Sequence, residues 1–337
     1  MDDLTADVLV IGAGLTGAMI AAHLAERHVR VSVVDAQRVG QAATRRALGL
    51  ATLSPSQAHI QQTKQGLDHL KRLTSRYGAL LQSCGVIQLA TSPERRRALQ
   101  QLSAAAPDVG LEWTTRPDLL PPGFDGGLLM RDSALVNLDL LLVRLLRHPN
   151  ILVRQHVEVL RLESAGHLTY ALCRDLTIMA RCVVLATNAY IGLLSPYLAD
   201  SVRGARGAVW SSQSPTGSVS RPPYAGLPLL FDDWRFALVP GKDGSLHGAA
   251  WLWHESDADK DPSEELRRFL RQFGLGKPEQ TSRWSTGATT TTDDGAPLVG
   301  RLNAEGKVLY ALGLGAYGLA WAPIVAERVA ALVFTDR

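Results

Sequence analysis

The stretch Asp7-Val8-Leu9-Val10-Ile11-Gly12-Ala13-Gly14-Leu15-Thr16-Gly17 decides the fold. Val8 to Ile11 is a continuous apolar run of strand length, the pattern of a parallel strand buried on both faces. Three glycines follow at once, and Leu15 to Arg27 reads as a helix with an Ala-rich face suited to a sheet. Arg30 to Val34 is a second apolar strand ending at Asp35, 18 residues after Gly17. Strand, glycine turn, helix, strand and acid together make a βαβ dinucleotide-binding unit. Gly12 permits the tight turn, Gly14 lets a pyrophosphate approach the backbone, and Gly17 lets helix and strand pack closely. Leu15 and Thr16 open the helix, whose N-terminus carries partial positive charge. Asp35, with Ala36 beside it, is placed to accept hydrogen bonds from ribose hydroxyls.

The same glycine spacing recurs at Gly313-Leu314-Gly315-Ala316-Tyr317-Gly318, after the strand-like run Val308 to Leu312. Only 19 residues of the sequence follow Gly318, too few for another helix, strand and acid, so no second nucleotide unit is expected. Spacing alone leaves two readings open: close packing of a final helix over 322–334, or a backbone loop against a ligand. Between these ends, helices are predicted over 57–77, 93–105, 137–148 and 262–274. Strands are predicted over 85–90, 126–135, 151–162, 167–173, 176–188, 236–239 and 245–253, with Pro-Gly-Ser loops over 204–226. Alternating βα order at both ends around a β-rich middle gives an α/β chain, α+β overall. The expected architecture is a Rossmann-like domain of residues 1–84, 137–203 and 285–337, interleaved with a β-sheet substrate domain of 85–136 and 204–284.

Composition narrows the function. Of 337 residues, 35 are Lys or Arg and 32 Asp or Glu, so no basic field marks a nucleic-acid partner. Three cysteines without a C-x-x-C pair argue against a disulfide scaffold, a thiol redox motif or a cysteine zinc site. His247, His254, Glu255 and Asp257 form the densest candidate metal cluster, but no ligand spacing recurs and no metal is expected. The apolar segment 309–334 is interrupted by glycines, Pro323 and the pair Glu327-Arg328, so no membrane span is expected. No leader-like segment precedes Val8, and a soluble cytoplasmic protein is the expectation. Oligomeric state is left open. No G-x-S-x-G, H-E-x-x-H or G-x-x-x-x-G-K-[ST] motif occurs. A dinucleotide therefore either carries the reaction or is merely held. After Asp35, the loop Gly40 to Gly49 is small and polar. Its Thr44 can donate to a phosphate oxygen, and Arg46 can offer charge to an electron-rich ring.

Four segments together resemble the D-amino acid oxidase-like family of FAD enzymes, which includes glycine oxidase, sarcosine oxidase and γ-glutamylputrescine oxidase. They are the N-terminal βαβ unit, the Ala43-Thr44 to Gly49 loop, the run Val183-Val184-Leu185-Ala186-Thr187-Asn188-Ala189-Tyr190, and a C-terminal block. That block comprises Trp284, Asp294-Gly295-Ala296-Pro297-Leu298-Val299-Gly300, Gly313 to Gly318, and Pro323. The resemblance implies FAD, a substrate domain, and dehydrogenation at a C–N bond by hydride transfer to the flavin, giving an imine that hydrolyses. It implies that Gly12, Gly14 and Gly17 hold the pyrophosphate and Asp35 the ribose, that Thr44 and Ala47 line the cofactor, and that the Val157 backbone meets the adenine. Ala186 and Thr187 would pass the nucleotide half, and Gly313, Gly315, Gly318 and Leu319 would approach the isoalloxazine and ribityl chain.

Departures from the family pattern carry as much. Covalent attachment in some relatives uses a His in the N-terminal loop or a Cys near the C-terminal block. Arg46 stands near the first position and no Cys follows Cys182, so non-covalent FAD is expected. Amino-acid oxidases of the family grip the substrate carboxylate with an Arg shortly before the Asp-Gly-x-Pro segment. Thr289 stands there, and a Thr cannot make the bidentate charged contact. Pocket walls are sought among Trp234, Arg235, Phe236, Trp251 and Trp253, and an anion clamp in Arg206 or Arg235. The expected reactants are a small amine or amino acid and oxygen or another electron acceptor. Two alternatives stay open: dehydrogenation of a 2-hydroxy acid or polyol phosphate, and a flavin-binding subunit of a hetero-oligomer.

Overall fold

Strand Leu4–Ile11 (β1) lies inside an eight-stranded sheet, where the apolar run at Val8–Ile11 is covered on both faces. Parallel pairing places strand Val308–Leu312 beside Thr177–Leu185, then β1, then Val31–Asp35 (β2), then Ile151–Gln155. The structure, a computed structural model, describes residues 4–212, 226–232, 234–241, 245–253, 257–272, 282–302 and 307–335. Helix Leu15–Ala25 (α1) and helices Ile60–Arg76, Leu138–Leu146 and Gly318–Phe334 share one core with Val8, Val10, Val33 and Val184. Leu9, Ile11, Val34 and Val183 meet Ile191 and Leu198 on the opposite face. Asn137 caps its helix as expected, accepting the Leu140 N–H at 2.9 Å.

The segment Gly315–Phe334 is, among the described residues, the one helix long and apolar enough to cross a membrane, with mean hydropathy 1.4. It packs against α1 and the 60–76 helix, and its Trp321, Ala322, Val325 and Val329 are buried. Core packing therefore accounts for its apolar character.

A second eight-stranded sheet runs in the order 282–291, 203–212, 246–252, 236–240, 229–231, 86–89, 127–130, 111–114. One face packs on helix Pro262–Gln272, where Phe236 stacks on Phe269 with centroids 4.2 Å apart. The other face presents Leu230, Ala237, Ala249 and Trp251 to the main core. A small third sheet joins Leu50–Ala51, Ala134–Val136 and Leu81–Ser83.

Several expectations need correction. Of the region read as loop, residues 204–212 belong to a ten-residue strand, Arg203–Ser212, paired on both sides, while 213–225 lie outside the described residues. Its small residues are spacers: a Cβ on Gly207 would overlap the Trp251 ring. The Thr-rich run 289–291, assigned to no element from the sequence, ends a strand, Ser282–Thr291. The single strand read over 151–162 is two, separated at His156, whose φ is 60°. The strand read over 126–135 is also two, Gly127–Met130 and Ala134–Val136, in different sheets. The final helix starts at Gly318, four residues before its expected start.

Candidate active site

Every parallel strand of the first sheet ends at one edge, and the turns beyond those ends enclose a cleft of about 1090 Å³. Carboxyl ends of parallel strands are where open α/β sheets bind ligands. Gly12, Gly14, Leu15, Thr16, Asp35, Ala36, Thr44, Val157, Ala186 and Thr187 all line it. Gly17 does not; it packs behind, against the Gly12 carbonyl and Val10. Asp35 ends β2, and its two oxygens accept the N–H groups of Ala13 and Gln37, each at 2.8 Å. Burial pushes the Asp35 carboxyl above its ordinary range, and these two N–H groups pull it back.

At the start of α1, Gly14 has no side chain to cap the helix, and Thr44 fills the role from the neighbouring loop. Its hydroxyl accepts the Leu15 N–H at 3.0 Å. The next N–H groups, of Thr16 and Gly17, have no intrahelical acceptor and leave a positive helix end at the cleft. The Thr187 hydroxyl is buried without a partner, an orphan that a bound ligand could satisfy. Sequence reasoning missed Tyr190, Leu193 and Leu194, which line the far end from a 3₁₀ turn and the residue after it. The turn begins at Asn188, whose φ of 51° is a local feature that the apolar pattern does not signal.

An inner cavity of about 850 Å³ continues from this cleft, sharing Leu15, Thr16, Thr44 and Ala186 with it. Ala47, Gly313, Gly315, Gly318 and Leu319 line the inner cavity, and Trp234, Trp251, Trp253 and Thr289 complete its wall. Trp234 is 4% exposed, and its ring meets Tyr317 edge-on at 6.2 Å. Burial drives the Tyr317 phenol pKa up, so it stays neutral. The Thr289 hydroxyl accepts the Asn188 side-chain N–H at 3.1 Å, and the Asn188 oxygen accepts from Thr290 N–H and hydroxyl at 3.0 and 2.7 Å.

Four residues singled out in the sequence lie elsewhere. Arg46 does not line the cavity: its stem crosses Gly287 and its Nη1 donates to the Gln41 and Ala42 carbonyls at 3.0 and 2.8 Å. Arg206 is exposed and donates to the carbonyls of Ala258 and, at 2.9 Å, Lys260. Arg235 pairs with Asp257 at 2.9 Å, and Phe236 faces the opposite side of its sheet. Among the described residues, no charged side chain lines the inner cavity. Nor does any described group of three His, Cys, Asp or Glu side chains suit a metal; His254 and Glu255 lie outside the described residues.

An extended dinucleotide fits this architecture: an acid at one end, a helix N-terminus and a glycine turn in the middle, an orphan hydroxyl alongside, and a glycine-floored cavity beyond. The family model described as FAD dependent oxidoreductase (DAO) matches residues 7–332. A glycine oxidase of Bacillus licheniformis is 25% identical, over 97% of this chain and 92% of its own. The tRNA 5-methylaminomethyl-2-thiouridine biosynthesis bifunctional protein MnmC of Pseudomonas putida (strain W619) is 30% identical over 87% of this chain. The match spans about half of that protein, 47% of its length. Among solved structures, glycine oxidase from Geobacillus kaustophilus superposes with a TM-score of 0.79 over 98% of this chain and 95% of its own. At 22% identity, that likeness speaks for the fold.

Proposed function

The chain belongs to the DAO family of FAD dependent oxidoreductases, and from that premise we propose that it oxidises the C–N bond of an amine whose reacting end carries no carboxylate. The observation that carries this reading is where the cations sit. Arg206 and Arg235 turn to other partners, and Thr289, engaged by Asn188, is the polar group in the wall where relatives grip a carboxylate. Glycine, the compound in the relative's name, carries a carboxylate for which no described residue of this cavity offers a charged partner.

FAD bound here supplies the two-electron oxidation. The Gly12–Gly17 turn and the α1 N-terminus would hold the pyrophosphate, Asp35 the ribose, and Ala36, Val157 and Tyr190 the base. Thr44 and Thr187 offer hydroxyls along the chain, and Gly313, Gly315, Gly318, Ala47 and Leu319 form the floor under the reacting ring. Attachment is non-covalent. The substrate domain of residues 85–136 and 204–284 supplies the tryptophan wall to the cofactor domain of 1–84, 137–203 and 285–337, with strand 282–291 bridging the two. That wall excludes water and disfavours the ammonium form, so the amine meets the cofactor neutral, as loss of hydride requires. Oxygen or another acceptor takes the electrons.

Acid precipitation should release all flavin as FAD. Anaerobic bleaching then tests the substrate class with benzylamine, N-methylbenzylamine and putrescine against glycine, sarcosine and D-alanine. A missing charged hydrogen-bond pair costs about 1.5–3 kcal/mol, or roughly tenfold to 150-fold in binding. The carboxylates are expected to lag by that margin. Rapid bleaching by glycine or D-alanine, unchanged in Arg206→Ala and Arg235→Ala, would overturn the reading.

A further inference from the structure

Trp234 lies between the antiparallel strands Leu229–Phe231 and Phe236–Pro240, in a backbone conformation that aromatic residues avoid. Its φ is 67°, and that of Asp232 is 44°. The left-handed region is disfavoured for a residue with a Cβ and persists only where surroundings over-determine it. On one side, the Asp232 carboxylate accepts the Thr91 N–H at 3.0 Å and the Thr91 hydroxyl. On the other side stands Arg235. Its carbonyl accepts the Trp251 N–H at 3.0 Å, and its Nη2 donates to Asp257 Oδ1 at 2.9 Å, with Glu265 Oε2 3.8 Å away. Arg235 thus ties together the strained Trp234, the second tryptophan of the wall, and the chain just beyond the third, Trp253.

Asp257 is 2% exposed and also receives Lys260 Nζ at 2.5 Å, yet its Oδ2 is buried without a partner. Burial raises its pKa, and the hydrogen bonds from Lys260 and Arg235 outweigh that, so the carboxylate stays charged. A buried carboxylate with one oxygen unpaired is a poor way to gain stability, because apolar packing would serve better. Its geometric consequence is the better account of it. We propose that the Arg235–Asp257 pair, outside the cavity, sets the position of Trp234 and thereby the selectivity of the amine pocket. Both are positioning residues, and Arg235 is not a substrate clamp. The selectivity half rests on the tryptophan-walled cavity being the substrate site; the positioning half does not.

Arg235→Met is the informative variant, since Asp257 keeps Lys260 and no lone buried charge is created. In the FAD-loaded protein without substrate, it should change the near-UV circular dichroism of the tryptophans. That change should shrink at least threefold in a Trp234→Phe background, as coupled neighbours require. The apparent Kd for benzylamine, read from the flavin absorption band, should rise about tenfold. The limiting bleaching rate should fall by less than about threefold, and Arg235→Lys should restore most of the affinity. Equal spectral changes in both backgrounds would overturn the proposal, whatever the substrate proves to be. A Trp234-dependent change with unaltered benzylamine affinity would overturn its selectivity half. If benzylamine does not bind the parent protein, the function reading suffers and the spectral cycle alone decides the positioning claim.

Discussion

Two glycine motifs with identical spacing, Gly12–Gly17 and Gly313–Gly318, do different things in this molecule. In the first, the last glycine is a packing necessity: a Cβ on Gly17 would overlap the carbonyl oxygen of Gly12. Gly12 itself has φ 107°, and a Cβ there would come within 2.5 Å of the Ala186 carbonyl oxygen. Gly14 is the least confined of the three, yet a Cβ there would still press on Thr44 Oγ1 at 3.2 Å. In the second motif the first glycine is again confined, and it is the last that differs. Gly313 has φ 71° and sits tight against Thr292, whereas a Cβ on Gly318 would meet nothing nearer than Leu314 Cβ at 3.8 Å. Gly318 lines the inner cavity, and Gly17 lines neither cavity. One spelling closes a turn; the other keeps a floor clear.

Alanine at the last glycine of each motif separates these roles, and the first substitution has the largest expected effect. Gly17→Ala forces a methyl into main-chain atoms that cannot rotate away. It should cost about 3 kcal/mol or more, at or above the upper end of overpacking, with FAD retention lost alongside. Urea unfolding of the apoprotein measures it; an unshifted midpoint would remove the contrast. Gly318→Ala should act in opposite directions on two readouts. Gly318 has φ −54° and ψ −33°, so alanine fits the helix and should raise apoprotein stability by about 0.4–1 kcal/mol. FAD affinity should fall roughly tenfold, because the new methyl narrows the floor. Unchanged affinity would mean that the second motif is also a packing device.

The first motif was legible because its context is local. A parallel strand buried on both faces reads as an unbroken apolar run, and β1, α1 and β2 follow from it within 32 residues, from Leu4 to Asp35. The second motif had a legible spacing and an illegible purpose, since what lies over Gly318 depends on strands 229–231, 236–240 and 246–252, far away in sequence. Strand 203–212 was hidden for a similar reason: Gly204, Ala205, Gly207 and Ala208 look like loop residues until the Trp251 ring is laid across Gly207. Thr289 was found by counting back from Asp294, and it lines the cavity. Arg206 and Arg235 could not be judged that way. A long cationic stem reaches several directions, and only the folded chain shows that Lys260 and Asp257 supply the acceptors.

The smallest expected effect concerns the far end of α1, where it meets the middle of the Gly318–Phe334 helix. α1 and the Gly318–Phe334 helix pack together and, with the 60–76 helix, surround a crevice holding His23 and His69. His23 lies in the last turn of α1, its ring 6.4 Å from that of His69. His69 Nδ1 is 2.9 Å from Glu327 Oε1 of the final helix. Burial, with help from Arg27 and His69 and against Glu26, lowers the His23 pKa from its ordinary 6.5 to about 4. The folded protein therefore binds this proton less readily than the unfolded chain. Above pH 6.5 both states are neutral and the full contribution is present; it is lost progressively as pH falls toward 4. One fully buried group would give a slope of about 1.4 kcal/mol per pH unit. His23 keeps some solvent contact, so screening reduces the slope to a fraction of that. His23→Gln should flatten the acid limb of the Tm profile by about 1–2 °C per pH unit in this window. FAD retention at neutral pH should match the parent, because His23 lies in the last turn of α1 and the Gly12–Gly17 turn at its other end. An identical acid slope in the variant would show that the helix junction does not sense protons. A loss of FAD at pH 7 would show that the far end of α1 is coupled to the glycine turn that starts it.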